Sequence, residues 1–158
     1  MCALKVDMAN IENYVGRELG VSSWMEINQS RINKFAEATG DFQWIHVDVE
    51  RARTEMPGGK TIAHGYLILS LVPQFFEEII EISGLRYGLN YGVNKVRFTS
   101  PVPVGSLVRG RMSLDKLEKR RDGTLLGHFG MVMERQGQER PVMISETLIL
   151  LAPIDSDG

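Results

Sequence analysis

The residues best suited to chemistry lie between Gly40 and Asp48. Asp41 and His46 stand five positions apart in a stretch expected to be non-helical, where a looping backbone would turn both side chains into one cavity. Two titratable groups that share one water can divide proton removal from proton delivery, and partial burial of the carboxyl beside an imidazole tunes it toward neutral pH. Gln43 would supply an amide to orient a ligand. Phe42, Trp44, Ile45 and Val47 would surround the pair with apolar surface that excludes water, and Asp48 is a candidate loop cap. Taken alone, the pair is better explained blandly, with Asp41 closing a helix-end turn and His46 filling a hole beneath the loop. Its neighbours shift that balance toward catalysis.

A second group of residues lies further along. Thr61-Ile62-Ala63-His64-Gly65-Tyr66 leads directly into the most apolar part of the chain, so the amides near Gly65 and Tyr66 would be unpaired donors at a helix N-terminus. Donors of this kind stabilise an oxyanion, and a glycine lets a carbonyl approach the backbone where a side chain would obstruct it. His64 reads as packing and loop support rather than as a catalyst. Asp41, His46, Asp48 and His64 offer oxygen and nitrogen ligands, but their spacing matches no closed zinc pattern, and no metal is expected.

The elements that must position these residues follow from pattern. Ile11 to Leu19 suits a short helix, and Ser22 to Ile27 a first strand. From Asn28 or Ser30 as N-cap, Ile32, Phe35, Ala36 and Thr39 share one helical face, and Gly40 sits where a C-terminal cap belongs. Phe42 to Lys60, with Pro57, Gly58 and Gly59, favours an irregular loop with one helical turn near Val49 to Arg53. Gly65 to Ser83 is apolar on nearly every side and predicts a buried helix, kinked at Pro73 and ended by Gly84.

After Gly84 the chain turns strand-like over Leu85 to Phe98, Leu107 to Glu118, Leu125 to Arg135 and Pro141 to Leu151. Asp122-Gly123 is a hairpin signal between two of these runs. An antiparallel meander curled around the apolar helix, in the α+β class, is the expected architecture. Both edges of such a sheet need cover, and a homodimer joining two sheets edge to edge would cover one. Phe75, Phe76, Met112, Phe129, Met131 and Met133 read as core packing. Lys95, Arg97, Arg109 and Arg111 offer a surface for the phosphates of a carrier, although solvated strand is the plainer account. Lys116, Lys119, Arg120 and Arg121 fit a soluble hairpin tip.

Composition sets the outer limits. The 158 residues fit one domain over 1–158, with 43% hydrophobic content to form its core. A net charge of -2 recommends neither nucleic acid nor an anionic membrane as a partner. Cys2 has no second cysteine to pair with inside the chain, and the N-terminus lacks the apolar run of a signal peptide, which points to the cytoplasm. Residues 155–158 read as a frayed tail. Acidic residues interrupt the Tyr66 to Ile82 segment too often for a bilayer span.

The ordered run Ala36-Glu37-Ala38-Thr39-Gly40-Asp41-Phe42-Gln43-Trp44-Ile45-His46-Val47-Asp48, followed by Ile62-Ala63-His64-Gly65, resembles the MaoC-like dehydratases, also called R-specific enoyl-CoA hydratases. The likeness continues through Tyr91 to Phe98 and Pro101 to Ser106, and the nearest subgroup is similar to the NodN-like proteins. The resemblance implies a hot-dog fold, a curved antiparallel sheet around a long central helix, and a dimer. It implies reversible hydration of a trans-2-enoyl thioester to an (R)-3-hydroxyacyl thioester, with Asp41 and His46 handling the water and proton and the Gly65 amide binding the thioester oxygen. No cofactor is implied beyond coenzyme A or phosphopantetheine as substrate carrier, and acyl carrier protein is admitted as a partner. Where the family's commonest pattern has Asn-Pro, this chain has Gln43-Trp44. A thioesterase and a non-catalytic acyl-thioester binding protein are the competing readings.

Overall fold

A computed structural model describes residues 3–154. Cys2 and the tail 155–158 lie outside the described residues. The chain opens with a strand, β1 (Leu4–Asp7), a 3-10 turn over Met8–Tyr14, and two short strands, β2 (Arg17–Val21) and β3 (Met25–Ile27). The helix expected over Ile11 to Leu19 is therefore a 3-10 turn followed by strand, and the strand expected from Ser22 begins only at Met25. The next helix, α1 (Gln29–Thr39), matches its sequence signals. The Asn28 side chain accepts from the Arg31 amide, and Gly40 closes the helix in the left-handed region at φ 76°.

Four long strands follow the central helices: β4 (Ile80–Ser83) is short, and then come β5 (Leu85–Phe98), β6 (Ser106–Lys119), β7 (Leu125–Arg135) and β8 (Met143–Pro153). Their boundaries agree with the sequence to within a few residues, because turn residues and period-two burial mark each one. Along β6 and β7 every second side chain from Val108 to Leu114 and from Phe129 to Met133 is buried.

The pairing departs from a simple meander. The order in the main sheet is β2-β6-β7-β8-β5, with β3 also on β6, so β5 lies beside β8 rather than beside its sequence neighbour β6. The chain crosses the sheet between Phe98 and Ser106, and that crossing runs past the site described below. The sheet closes over the core formed by the central helices, the arrangement of a hot-dog fold within the α+β class.

The apolar segment is not one helix. It comprises α4 (Gly65–Ser70) and α5 (Val72–Ile79); before it, the span expected to be loop holds α2 (Trp44–Val47) and, where one helical turn was expected, α3 (Val49–Glu55). Helices α4 and α5 meet at Leu71, and Pro73 stands in the first turn of α5, where its missing N–H costs nothing. Ile80 to Ser83, expected as the last helical turn, instead pairs in parallel with β1, Leu4 opposite Ile80 and Val6 opposite Ile82. The alternating Ile-Glu-Ile-Ser carries strand periodicity that the surrounding apolar residues conceal. Phe75 is fully buried among Met112, Phe129, Met131 and Met133, while Phe76 is partly buried and meets Phe129 edge-on at 5.0 Å. No helix among the described residues is long and apolar enough to cross a membrane.

Candidate active site

Gly40 reverses the chain at the end of α1, so Asp41 begins a three-residue linker into α2. His46 is therefore helical, contrary to the non-helical stretch expected. One turn suffices to aim its ring inward, leaving the residue 6% exposed. Nδ1 lies 2.7 Å from the Ile62 carbonyl. A carbonyl oxygen only accepts, so Nδ1 carries the hydrogen and neutral His46 keeps its Nε2 lone pair free to act as a base.

His64 lies directly against this ring, with centroids 3.8 Å apart and planes 25° from parallel. Its Nε2–H donates to the Asp41 carbonyl at 2.9 Å, and Phe35 backs the ring at 5.0 Å. The loop support expected of His64 thus has a specific form: the residue holds the backbone of Asp41. The Asp41 carboxylate remains half exposed, 3.9 Å from His64 Nε2, and accepts the Gln43 amide at 3.3 Å. One donor atom from each of Asp41, His46 and His64 falls within 4.8 Å of the others. His64 Nε2 faces a carbonyl with its hydrogen, and its Nδ1 is buried without a hydrogen-bond partner among the described residues. Asp48 is spent on the cap of α3, accepting from the Arg51 amide.

A cavity of 320 Å³ opens beside His46, lined also by Ile62, Gly65, Ile68, Phe98 and Val142. Gly65 heads α4, where amides lack an intrahelical acceptor. A Cβ on Gly65 would come within 2.9 Å of the Phe98 ring, so only glycine leaves the ring where it is. Gln43 heads α2 with an exposed side chain and is not part of the cavity wall, nor is Asp41, which stands outside it. The apolar enclosure expected from Phe42 and Trp44 is supplied from elsewhere. Phe42 is 58% exposed, Trp44 carries the Arg51 guanidinium on its ring at 4.0 Å, and the wall comes instead from Phe98, Val102 and Val142.

Residues 10–128 match the model of the MaoC like domain family. The chain belongs to the MaoC-like family. It is 42% identical over 142 residues to 3-hydroxyacyl-thioester dehydratase Z of Mycobacterium tuberculosis, covering 90% of this chain and 93% of that one. It is 40% identical over 154 residues to nodulation protein N of Rhizobium leguminosarum, covering 96% of each. The R-hydratase PhaJ1 of Pseudomonas aeruginosa superimposes with a TM-score of 0.71 at 22% identity, covering 89% of this chain and 83% of that one.

In this MaoC-like protein the pair depends on residues that the sequence did not single out. Gln29, at the start of α1, donates through Nε2 to the His46 carbonyl at 2.7 Å, while its Oε1 accepts from the buried Thr61 hydroxyl at 2.6 Å. One amide thus joins α1, α2 and the strand-like approach to α4. The contacts are 17 and 32 residues apart in sequence, and no local pattern announces them. The basic residues considered for a carrier are largely engaged: Arg109 and Arg111 both bind Glu134, and Arg111 also binds Glu18. Lys116 and Lys119 pair with Glu118 and Glu12, consistent with a solvated hairpin.

Burial pushes the His46 imidazole below the ordinary histidine value of 6.5; His64 adds to the shift, while the Ile62 hydrogen bond and Asp41 oppose it. Folded protein therefore binds this proton less readily than unfolded chain, so the contribution to stability is present above 6.5 and is lost as pH falls through the folded value. If neutral His46 is the active form, the acidic limb of kcat/KM for an enoyl thioester lies below pH 6.5. A pH profile measured under first-order conditions checks this; an acidic limb centred above that value would remove His46 as its source.

Proposed function

We propose that this protein catalyses the reversible syn hydration of trans-2-enoyl thioesters to (R)-3-hydroxyacyl thioesters, with Asp41 and His46 as the water-handling pair. The observation that carries the reading is the free Nε2 of His46, on a side chain gathered with the Asp41 carboxylate, beside a cavity that Gly65 also lines. In the hydration direction the pair holds a water and takes one of its protons as the oxygen bonds to C3. The electrons of the double bond move toward the thioester oxygen, and a proton is then delivered to C2 on the same face. The Gly65 amide is the donor to that oxygen, a role whose loss typically costs roughly 10²–10³ in rate. Each atom transferred comes from water, so the balance closes without a redox or metal cofactor.

Coenzyme A or a phosphopantetheine arm carries the acyl group in this reading, and the proposed setting is fatty acid metabolism in the cytoplasm. Gln43, exposed at the head of α2 and outside the cavity wall, is assigned to the carrier rather than to the reacting carbons. Incubation with crotonyl-CoA tests the whole reading: the conjugated enoyl absorbance is lost without release of free thiol. Thiol release would instead identify a thioesterase, and saturable binding with neither change would identify a binding protein.

A homodimer through β5 completes the proposal. Among the described residues that strand pairs only with β8, and Tyr87, Leu89, Tyr91 and Val93 present a run of exposed apolar side chains along it. A second copy pairing antiparallel on this edge would cover it by a closed two-fold contact. Sedimentation of wild type should give twice the chain mass, and replacing Leu89 and Tyr91 together by Lys should shift the protein toward monomer. A monomeric wild type at micromolar concentration would sink the dimer.

A further inference from the structure

Gln29 stands where its own helix gives a glutamine no reason to be. It is the first residue of α1, directly after the N-cap Asn28, and the positive end of a helix favours an acidic side chain at such a position. Its amide nevertheless makes three contacts: Nε2 donates to the His46 carbonyl at 2.7 Å and to Asn33 Oδ1 at 2.8 Å, and Oε1 accepts the Thr61 hydroxyl at 2.6 Å. The His46 carbonyl only accepts, so the nitrogen must face it and the oxygen must face Thr61. An ionised glutamate in this place offers no donor, and an asparagine is one carbon shorter.

Both partners depend on this amide. The His46 carbonyl lies in the last turn of the four-residue α2, where carbonyls lack an intrahelical donor. Thr61 is 1% exposed, and its hydroxyl bonds to no other group among the described residues. From Thr61 the chain runs directly into Gly65, and the short segment between them anchors the whole site. His46 Nδ1 donates to the Ile62 carbonyl, the Ile62 amide donates to the Ile45 carbonyl at 3.0 Å, and His64 holds the backbone of Asp41. Gln29 clamps that segment and α2 to the start of α1, the same helix that ends at Gly40 beside Asp41. Neither Gln29 nor Thr61 lines the cavity at His46, so any effect they have on turnover passes through the groups they hold.

We propose that Gln29, acting with Thr61, is a positioning residue that fixes the separation between the His46 base and the Gly65 oxyanion donor. The proposal rests on the hydration reading above. Water must be delivered to C3 while the developing charge on the thioester oxygen is stabilised, so the spacing of the two groups has to match the span from C3 to that oxygen in one substrate. A loosened clamp leaves each group chemically intact and the two out of register.

The test measures kcat and KM for crotonyl-CoA in wild type, Gln29→Met, Thr61→Val, Thr61→Ser and the double variant Gln29→Met with Thr61→Val, each corrected for the folded fraction. Gln29→Met keeps the length of the side chain and removes its bonds; it is expected to lower kcat by roughly 10–10²-fold, the effect of a reacting group displaced by up to about 1 Å. KM is expected to change by less than about twofold, because the lost alignment matters in the transition state and not in binding. Thr61→Val, which leaves the Gln29 bond to His46 in place, should give a smaller fall in the same direction, and Thr61→Ser should recover most of it. The double variant should fall no further than Gln29→Met, since both changes open one clamp. An unchanged kcat in Gln29→Met overturns the proposal, as does a raised KM with kcat unaltered or full additivity in the double variant. Should Thr61→Val fail to fold, Gln29→Met, at a half-buried position, decides the matter alone. Hydration by wild type separates the two levels: where wild type hydrates crotonyl-CoA and Gln29→Met matches it, the positioning role alone is overturned, and where wild type does not, the function falls with it.

Discussion

Asp41→Asn and His46→Gln are each expected to lower crotonyl-CoA hydration by roughly 10²–10⁴ while leaving the folded protein intact, the range associated with removing one positioned acid or base. The asymmetry between the two residues makes the pair informative. Asp41 is half exposed, and its carboxylate accepts only a long bond from the Gln43 amide, so an amide of the same shape disturbs little packing. His46 is buried and donates to the Ile62 carbonyl, a bond that the side-chain amide of glutamine can partly replace. Thermal unfolding should place Asp41→Asn within a few degrees of wild type and His46→Gln somewhat lower. Near-normal turnover in either variant, measured as loss of enoyl absorbance, would remove that residue from the mechanism.

Gly65→Ala carries the second large expectation. The new methyl would stand 2.9–3.1 Å from three atoms of the Phe98 ring, closer than carbon atoms tolerate, and the atoms involved include the base of the ring rather than a free end. Phe98 must move, and it forms part of the cavity wall beside His46. Overpacking of this kind costs about 1–3 kcal/mol, and displacing the amide from the thioester oxygen would lower kcat by roughly 10²-fold. Phe98→Leu in the same chain should recover the stability but not the rate. Full recovery of the rate would mean that the Gly65 amide is not the oxyanion donor and that glycine serves only to admit the ring.

Much of this architecture was legible in residue order. Asn28 and Gly40 mark both ends of α1 because cap chemistry is local, and the long strands show in alternation and turn residues, which are local as well. What escaped is what depends on distant partners. Ile80 to Ser83 reads as helix until β1 is seen beside it. The pairing of β5 with β8 contradicts chain order, because the loop from Thr99 to Gly105 carries the strand direction across the sheet. At the site, Asp41 and His46 stood out as a candidate pair and Gly65 as a helix-start glycine, their roles came from the family resemblance, and the fold brings the first two together. Phe42 and Trp44 were misjudged, since Phe42 stays exposed in the linker before α2 and Trp44, within α2, does not line the cavity beside His46. Gln29 and Thr61 gave no warning, being ordinary polar residues whose meeting requires the finished fold.

The break at Leu71 separates two tasks that a continuous helix would couple. On the proposed mechanism α4 presents the Gly65 amide to the reacting oxygen, whereas α5 borders a separate space that reaches Ile82 and Leu85. A rigid rod would transmit any tilt at Phe76 or Ile79 back to Gly65. With the joint at Leu71, substitutions in α5 can reshape the distal volume while the proximal amide keeps its aim. The form of that space and the aim of the amide can therefore diverge by separate mutational routes.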